Sequence, residues 1–455
     1  MVIVFMNVMQ LALILLFVAV SGGNAYAAEV SCKTAECHSR VGGTKNFHAP
    51  VKDEDCMACH KQTNPAHPLK GGKSFVLTAE GALLCYQCHD RFGKKKDVHP
   101  PVKDGECAYC HKPHGGAEKN LLGVGNDQSE LCFGCHEPDP FKRKYRHGPV
   151  AVGECTKCHN PHESNGKALL GGAVWETCLK CHVDVVKSLS ESVFIHTPVK
   201  NGPCTACHYP HSGDYATLLK KPTPALCLGC HKKMEKVFKA KLVHKPLLQE
   251  GGCNTCHSTH FAKASKLLSG DDKTICLSCH NTDNLGTPPL RNIKSDIEGK
   301  KYLHGPLRNG GCKDCHDPHG NDRFRLLKGN YPADIYAPYK EGLYGLCLSC
   351  HDKNMLRFQE TTIYTKFRNG KRNLHYLHVV NSRKGRTCRV CHQPHASNGV
   401  KLIDKENLKF GEWQIPVNFN ITPTGGSCAP GCHQTFKYDR DKPVVYGGYS
   451  TNKNP

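Results

Sequence analysis

Hydrophobic positions along this chain are sparse and unevenly placed. Residues 11–20 (LALILLFVAV) form an unbroken apolar run of ten. Further on, recurring hydrophobic features are isolated pairs: Leu121-Leu122, Leu169-Leu170, Leu218-Leu219 and Leu267-Leu268, 48 or 49 residues apart. The run of ten matches the apolar stretch of a secretory signal and is too short to span a bilayer. Ala25-Tyr26-Ala27 supplies a small-x-small cleavage site, so residues 1–27 are expected to be a signal peptide with the mature chain starting at Ala28. The absence of Lys and Arg from residues 1–27 departs from that pattern, and an uncleaved anchor is the alternative. No later segment is apolar enough to cross a membrane.

Composition sharpens this picture. Of 455 residues 38% are hydrophobic, but that share includes 30 Cys and the N-terminal run. What remains falls well below the apolar content of an ordinary globular domain. A core of aliphatic side chains is therefore thin, and something else must hold the fold. Disorder is a poor answer for a chain carrying 30 Cys.

Every cysteine belongs to a C-x(n)-C-H unit. Thirteen have two intervening residues. The first of these units is Cys56, Cys59 and His60; then come Cys85, Cys88 and His89; Cys107, Cys110 and His111; Cys132, Cys135 and His136; and Cys155, Cys158 and His159. Next are Cys178, Cys181 and His182; Cys204, Cys207 and His208; Cys227, Cys230 and His231; and Cys253, Cys256 and His257. The last four are Cys276, Cys279 and His280; Cys312, Cys315 and His316; Cys347, Cys350 and His351; and Cys388, Cys391 and His392. Two units are stretched: Cys32, Cys37 and His38 by two residues, and Cys428, Cys432 and His433 by one. This is the attachment signature of c-type haem: two thiols form thioethers with the vinyl groups, and the adjacent His meets the iron. In both stretched units the second Cys and the His stay adjacent, so all fifteen are expected to bind haem. Zinc ribbons and disulfide scaffolds have no need of a His after every pair, and iron–sulfur clusters need grouped sets of four thiolates.

Fifteen further histidines lie outside these units: His48, His67, His99, His114, His147, His162, His196, His211, His244, His260, His304, His319, His375, His378 and His395. Their number equals that of the motifs, which suggests one distal ligand per iron. Methionine, the other common axial ligand, is nearly absent. Six of these histidines (114, 162, 211, 260, 319 and 395) follow a motif His by three residues. Such a His cannot reach the opposite face of its own haem, so it is expected to serve a neighbouring one. Another set stands eight residues before the first Cys of alternate units (His48, His99, His147, His196 and His304), with His244 at nine. Most of these occur as H-x-P-V or H-x-P-L, where Pro is expected to hold an extended turn. Spacing does not choose a role for His375 and His378.

The two-unit period from Cys56 to Cys253 has steps of 48 to 51 residues, and it lengthens after Cys276 as Pro- and Tyr-bearing insertions enter. A fixed period of this size predicts an array whose units contact mainly their neighbours. Across nearly all of residues 32–433, including GGSCAPGCHQTFKYDR near the end, the sequence resembles the doubled-C-x-x-C-H multihaem cytochromes c of metal-reducing bacteria. The resemblance implies an irregular, haem-packed array, mostly loops with short helices at the motifs and little or no sheet. The expected organisation is an N-terminal C-x4-C-H segment (28–47), regular doubled repeats with about ten haems (48–290), further repeats with insertions and four haems (291–440), and a tail (441–455). The resemblance also implies a periplasmic or outer-surface electron carrier with about 15 covalently bound haems c and no catalytic residues. Expected partners are other redox proteins, either inner-membrane or periplasmic cytochromes or outer-membrane porin–cytochrome components. A multihaem reductase with one open iron and a subunit of an extracellular cytochrome filament are the alternatives.

The formal net charge of +21 would ordinarily point to nucleic acid or an anionic membrane. Thirty propionates would shift it to about −9 with ferrous haems, or about +6 with ferric ones. The Lys and Arg excess is therefore read as propionate balance, and nucleic-acid binding is not expected. Lys94-Lys95-Lys96 is read as a solvated turn, with docking of a redox partner as the alternative.

Overall fold

The computed structural model describes residues 31–447 apart from 35, 36, 42, 284–289, 310 and 411; the expected signal peptide lies outside the described residues. The chain divides into two compact units, one of residues 1–136 and 153–169, the other of residues 137–152 and 170–455.

Both units are built from the same local pieces. In each doubled repeat the histidine ahead of the first motif caps a single helical turn. These turns are Ala49–Lys52, Pro100–Lys103, Gly148–Ala151, Thr197–Lys200, Lys245–Leu248 and Gly305–Arg308. The capping histidines share one extended conformation, with φ between −68° and −61° and ψ between 122° and 142°. Proline in the first turn explains both features, since its fixed φ suits the start of a helix and its missing N–H is not needed there. The expected extended turn is therefore an extended histidine followed by a helical turn.

The first motif of a repeat sits on a tight turn, as at Cys56–Ala58, Cys107–Tyr109 and Cys204–Ala206. The second begins at or near the end of a short α-helix, as at Ala82–Cys85, Ser129–Cys132 and Asp272–Leu277. The longest helix among the described residues, Val183–Glu191, has nine residues. No helix there is long and apolar enough to cross a membrane.

Strands are short but far from incidental. In the first unit Asn46–Phe47 pairs antiparallel with Gly115–Gly116, and Asp97–Val98 with Glu163–Ser164. In the second, Tyr145–Arg146 pairs with Ser212–Gly213, Phe194–Ile195 with Phe261–Ala262, Leu242–Val243 with Gly320–Asn321, and Tyr302–Leu303 with Ala396–Ser397. Each of these six clips joins the two residues before a capping histidine to the two residues after a +3 histidine of the next repeat. In the first unit Glu163 reaches beyond its clip to accept the amides of Gly93, Lys94 and Lys95. The lysine run is thus a turn folded round a carboxylate.

The second unit also contains a side-chain core. Leu327, Tyr331, Tyr344, Leu356 and Val379 form one buried cluster, with the Tyr344 hydroxyl donating to the Ala337 carbonyl at 2.6 Å. Beyond it Asn420–Ile421, Gly425–Cys428 and Phe436–Asp439 make a three-stranded antiparallel sheet. The insertions that lengthen the last repeats thus bring their own hydrophobic packing.

Candidate haem sites

The motif histidines do not stand alone. Within the first unit the rings of His38 and His67, His48 and His89, His60 and His114, His99 and His136, and His111 and His162 face each other. Within the second unit the facing pairs are His147 and His182, His196 and His231, His208 and His260, His244 and His280, and His257 and His319. They continue with His304 and His351, His316 and His395, His375 and His392, and His378 and His433. Each of these pairs joins one motif His to one non-motif His. Motif His159 and non-motif His211 fall in different units.

The fourteen pairs have ring centres 5.8–6.5 Å apart and ring planes inclined by 7–37°. Two imidazoles bound to one metal, each through a bond of about 2 Å, would have centres about 6 Å apart. In the His38–His67 pair the two Nε2 atoms face each other at 3.5 Å. The donor set therefore fits a six-coordinate haem iron, with the paired cysteines as covalent anchors and Nε2 atoms as axial donors.

A simple rule emerges from the regular repeats. The capping histidine faces the second motif His of its own repeat, as His48 does His89 and His244 does His280. Within a unit the +3 histidine faces the first motif His of the preceding repeat, as His114 does His60 and His260 does His208. Main-chain bonds lock the two kinds together: the amides of His99, His196, His244 and His304 donate at 2.9 Å to the carbonyls of His162, His260, His319 and His395. His375 and His378, which spacing left open, lie on the helix Leu374–Val379. Asn373, only 1% exposed, caps that helix by accepting from the amides of His375 and Tyr376, while its amide group donates to the carbonyls of Met355 and Phe358.

The second cysteines of the motifs are placed by the backbone. In twelve motifs the amide of the second cysteine donates to the carbonyl of the first at 3.1–3.4 Å, which closes a tight turn. This holds for Cys59, Cys88, Cys110, Cys135, Cys158, Cys181, Cys207, Cys230, Cys256, Cys279, Cys350 and Cys391. The stretched motifs depart from it. The Cys37 amide donates to the Thr34 hydroxyl at 3.1 Å, and beside Cys432 the His433 amide donates to the Pro430 carbonyl at 3.1 Å. The extra residues therefore change the turn itself, and not only the reach of the first thiol. Cys37, Cys88, Cys135, Cys181, Cys230, Cys279, Cys350 and Cys432 are exposed, while Cys59 and Cys158 are half-buried. Geometry thus gathers the imidazoles into sites, whereas the anchoring role expected of these ten thiols stands on the motif spacing.

The ring nitrogen away from the partner imidazole is also engaged. Nδ1 of His111, His159, His208, His257, His316 and His392 donates to the carbonyl nine residues on, at 2.8–3.0 Å. His99, His196 and His244 donate to Pro161, Thr259 and Pro318 at 2.9 Å. A carbonyl can only accept, so Nδ1 carries the proton and Nε2 is left with the lone pair a metal needs.

Sequence reading missed the device that places those carbonyls. At the tenth residue after the motif His stands a leucine in the left-handed region: Leu121, Leu169, Leu218, Leu267, Leu326 and Leu402 have φ of 57–60°. In five of the six loops the residue before it is left-handed as well. The leucine carbonyl accepts the amide of the residue after the motif His at 2.7–2.8 Å, which closes the loop. Left-handed backbone costs a non-glycine residue about 1–2 kcal/mol. The loops hold that strain while they aim the carbonyl at Nδ1. The signal was present as six leucines at a constant offset from a motif histidine.

Burial tunes the protonation of these groups. It lowers His375 and His395 to about 4, and His162, His244, His260, His319 and His392 also lie below the usual histidine value. These imidazoles are neutral at neutral pH, the form that ligates metals. Burial pushes the thiols the other way, with Cys132 at about 12 and Cys391 and Cys428 at about 11. In the stretched last motif a side chain at Gly431 would place its Cβ 2.3 Å from the Trp413 ring, so the indole lies directly over that loop.

Repeated C-x-x-C-H motifs whose imidazoles meet a second imidazole across a metal-sized gap define a multihaem c-type cytochrome. The doubled CXXCH motif family matches residues 48–94, 99–141, 147–187, 196–236, 244–285 and 304–356, and the chain belongs to that family. The six matched repeats imply about twelve covalently bound haems c. Of the ten thiols above, eight fall inside those repeats, and Cys37 and Cys432 fall outside them. No curated protein matches the chain.

Proposed function

We propose that the protein is an exported electron carrier with fifteen bis-histidine haems, passing electrons along the chain in periplasmic or extracellular respiration. The observation that carries this reading is the set of fourteen facing imidazole pairs, each drawn from one motif and one non-motif histidine. The three motifs outside the matched repeats, at Cys32, Cys388 and Cys428, contribute His38, His392 and His433 to pairs of the same geometry. When bound, haem c supplies one-electron exchange between ferric and ferrous iron. The chain's own residues do the rest. Cysteines fix each group in place, with Cys37 and Cys432 included in that role. Imidazoles close both faces against competing ligands, and carbonyls behind Nδ1 set donor strength.

A reductase would need an iron with an open face, and two-sided pairing of this kind offers no support for one. The partners we infer are other redox proteins, met in the periplasm or at the outer surface.

Haem stoichiometry with spin state on purified mature protein tests the reading. Fifteen low-spin haems are expected. Twelve would restrict attachment to the matched repeats, and a high-spin fraction that binds CO rapidly would favour the reductase. His114→Ala should convert one haem, that of His60, to high spin while leaving it covalently attached. Unchanged low-spin content would refute the +3 assignment.

A further inference from the structure

Two of the facing histidines have a different support behind Nδ1. His67 Nδ1 lies 2.6 Å from the Ser74 hydroxyl, and His375 Nδ1 lies 2.9 Å from the Thr365 hydroxyl. The nine histidines described above that meet a main-chain carbonyl contrast with both. Ser74 is 5% exposed, so water competes little for its hydroxyl. Its carbonyl accepts the Thr63 amide at 2.9 Å, and it immediately precedes the strand Phe75–Leu77, which pairs with His60–Gln62. Thr365 Oγ1 also accepts the Phe367 amide at 3.0 Å, which occupies part of its capacity as an acceptor.

The chemical difference is one of acceptor strength. An amide carbonyl draws the Nδ1 proton firmly, enriches Nε2 and strengthens its bond to iron, which favours the ferric state. A hydroxyl draws it less. We propose that Ser74 and Thr365 are positioning residues that hold two haem sites, that of His38 with His67 and that of His375 with His392, at higher reduction potential than a carbonyl behind His67 or His375 would. This inference rests on the proposed axial roles of His67 and His375. It adds that the first and fourteenth motifs of the chain are electronically set apart by one side-chain oxygen each.

The test is a spectroscopically resolved redox titration of holoprotein, following the ferric low-spin haem signals one by one. Ser74→Ala removes the acceptor, and the His38 haem should move to higher potential. Ser74→Asn offers an amide carbonyl and should move the same haem lower. The expected change is about tenfold in its oxidised-to-reduced ratio at fixed ambient potential, which for one electron is about 59 mV. Thr365→Val and Thr365→Asn should repeat the opposite shifts at the His392 haem. Haem count and low-spin content should stay at wild-type levels throughout. A merely structural role would move both variants of a pair in the same direction or generate high-spin iron, and either result overturns the proposal, as does an unmoved potential. His67→Ala and His375→Ala separate the two levels of the argument. If they leave every haem low-spin, the axial assignment itself is wrong. If each yields one high-spin haem while the Ser74 and Thr365 variants shift nothing, the assignment stands and the tuning role falls.

Discussion

The regular repeats of the second unit and its C-terminal part solve the same problem with different materials. Between residues 196 and 283 the protein supplies two-residue clips, single helical turns and strained loops, and its buried aliphatic side chains are few: Val237, Leu247 and Ala262. Between residues 324 and 439, Tyr344 is fully buried in a cluster of five, and a three-stranded sheet follows. Regular spacing goes with facing imidazoles and little core, whereas inserted sequence goes with a hydrophobic interior. A tight repeat can thus dispense with a conventional interior because its facing histidines are placed by backbone hydrogen bonds. Once insertions break the period, side-chain packing has to fix the helix that carries His375 and His378.

That contrast can be broken experimentally. Tyr344→Ala should cost about 3–5 kcal/mol of local stability, as expected for a large aromatic removed from a packed core. Hydrogen exchange should show the loss across residues 324–380 and leave residues 196–283 protected. Equal loss in both regions would mean that the C-terminal core supports the repeats as well. A smaller effect, about 1–3 kcal/mol, is expected for Asn373→Ala, which removes a helix cap and the side-chain donor to the Met355 and Phe358 carbonyls. Since His375 and His378 share that helix, high-spin signal should appear at the haems of His392 and His433 alone.

The motifs, the fifteen further histidines and the two-repeat period were legible because each is a fixed residue type at a recurring offset. A short tether led to the expectation that a +3 histidine serves a neighbour, and His114 and His260 face His60 and His208 of the preceding repeats. The clips were not legible. Their strands use residues as different as Gly115-Gly116, Glu163-Ser164 and Phe261-Ala262, because a two-residue pairing is made by main-chain groups and asks little of side chains. The left-handed leucines were hidden for a related reason. Propensity steers such backbone towards glycine, and a tertiary bond to a histidine ring overrides it here.

That override gives a third expectation, of opposite sign. Thr217, at φ 55°, is β-branched and left-handed; its carbonyl accepts from His208 Nδ1, while its hydroxyl donates to the adjacent Ala216 carbonyl. Thr217→Gly should stabilise the repeat by up to about 1 kcal/mol in thermal unfolding, with the His208 spectrum unchanged. Destabilisation would show that the side chain contributes.

The smallest effect concerns acid. Amides of Lys442 and Asp441 and the Thr424 hydroxyl hold Asp439 down at about 2. A carboxyl depressed in the folded state stabilises it above the ordinary value near 4, and that contribution is lost as pH falls towards 2. The C-terminal sheet should therefore loosen over this interval before the clips do. Asp439→Asn should flatten the dependence, measured by Trp413 fluorescence.

The lock between capping and +3 histidines has a consequence for how such a chain can change length. Because the first imidazole of one repeat finds its counterpart only in the following repeat, no repeat is self-sufficient, and the series needs a terminator. His375 and His378 act in that role, both presented by a single helix to the last two motifs. On the proposed ligation, duplication or deletion of whole internal repeats would preserve the facing pairs, whereas trimming from the C-terminal side would leave motif histidines upstream of the cut without their counterparts. Such a chain can change length from within, or lose repeats from its N-terminal side, but it cannot shed its C-terminal end.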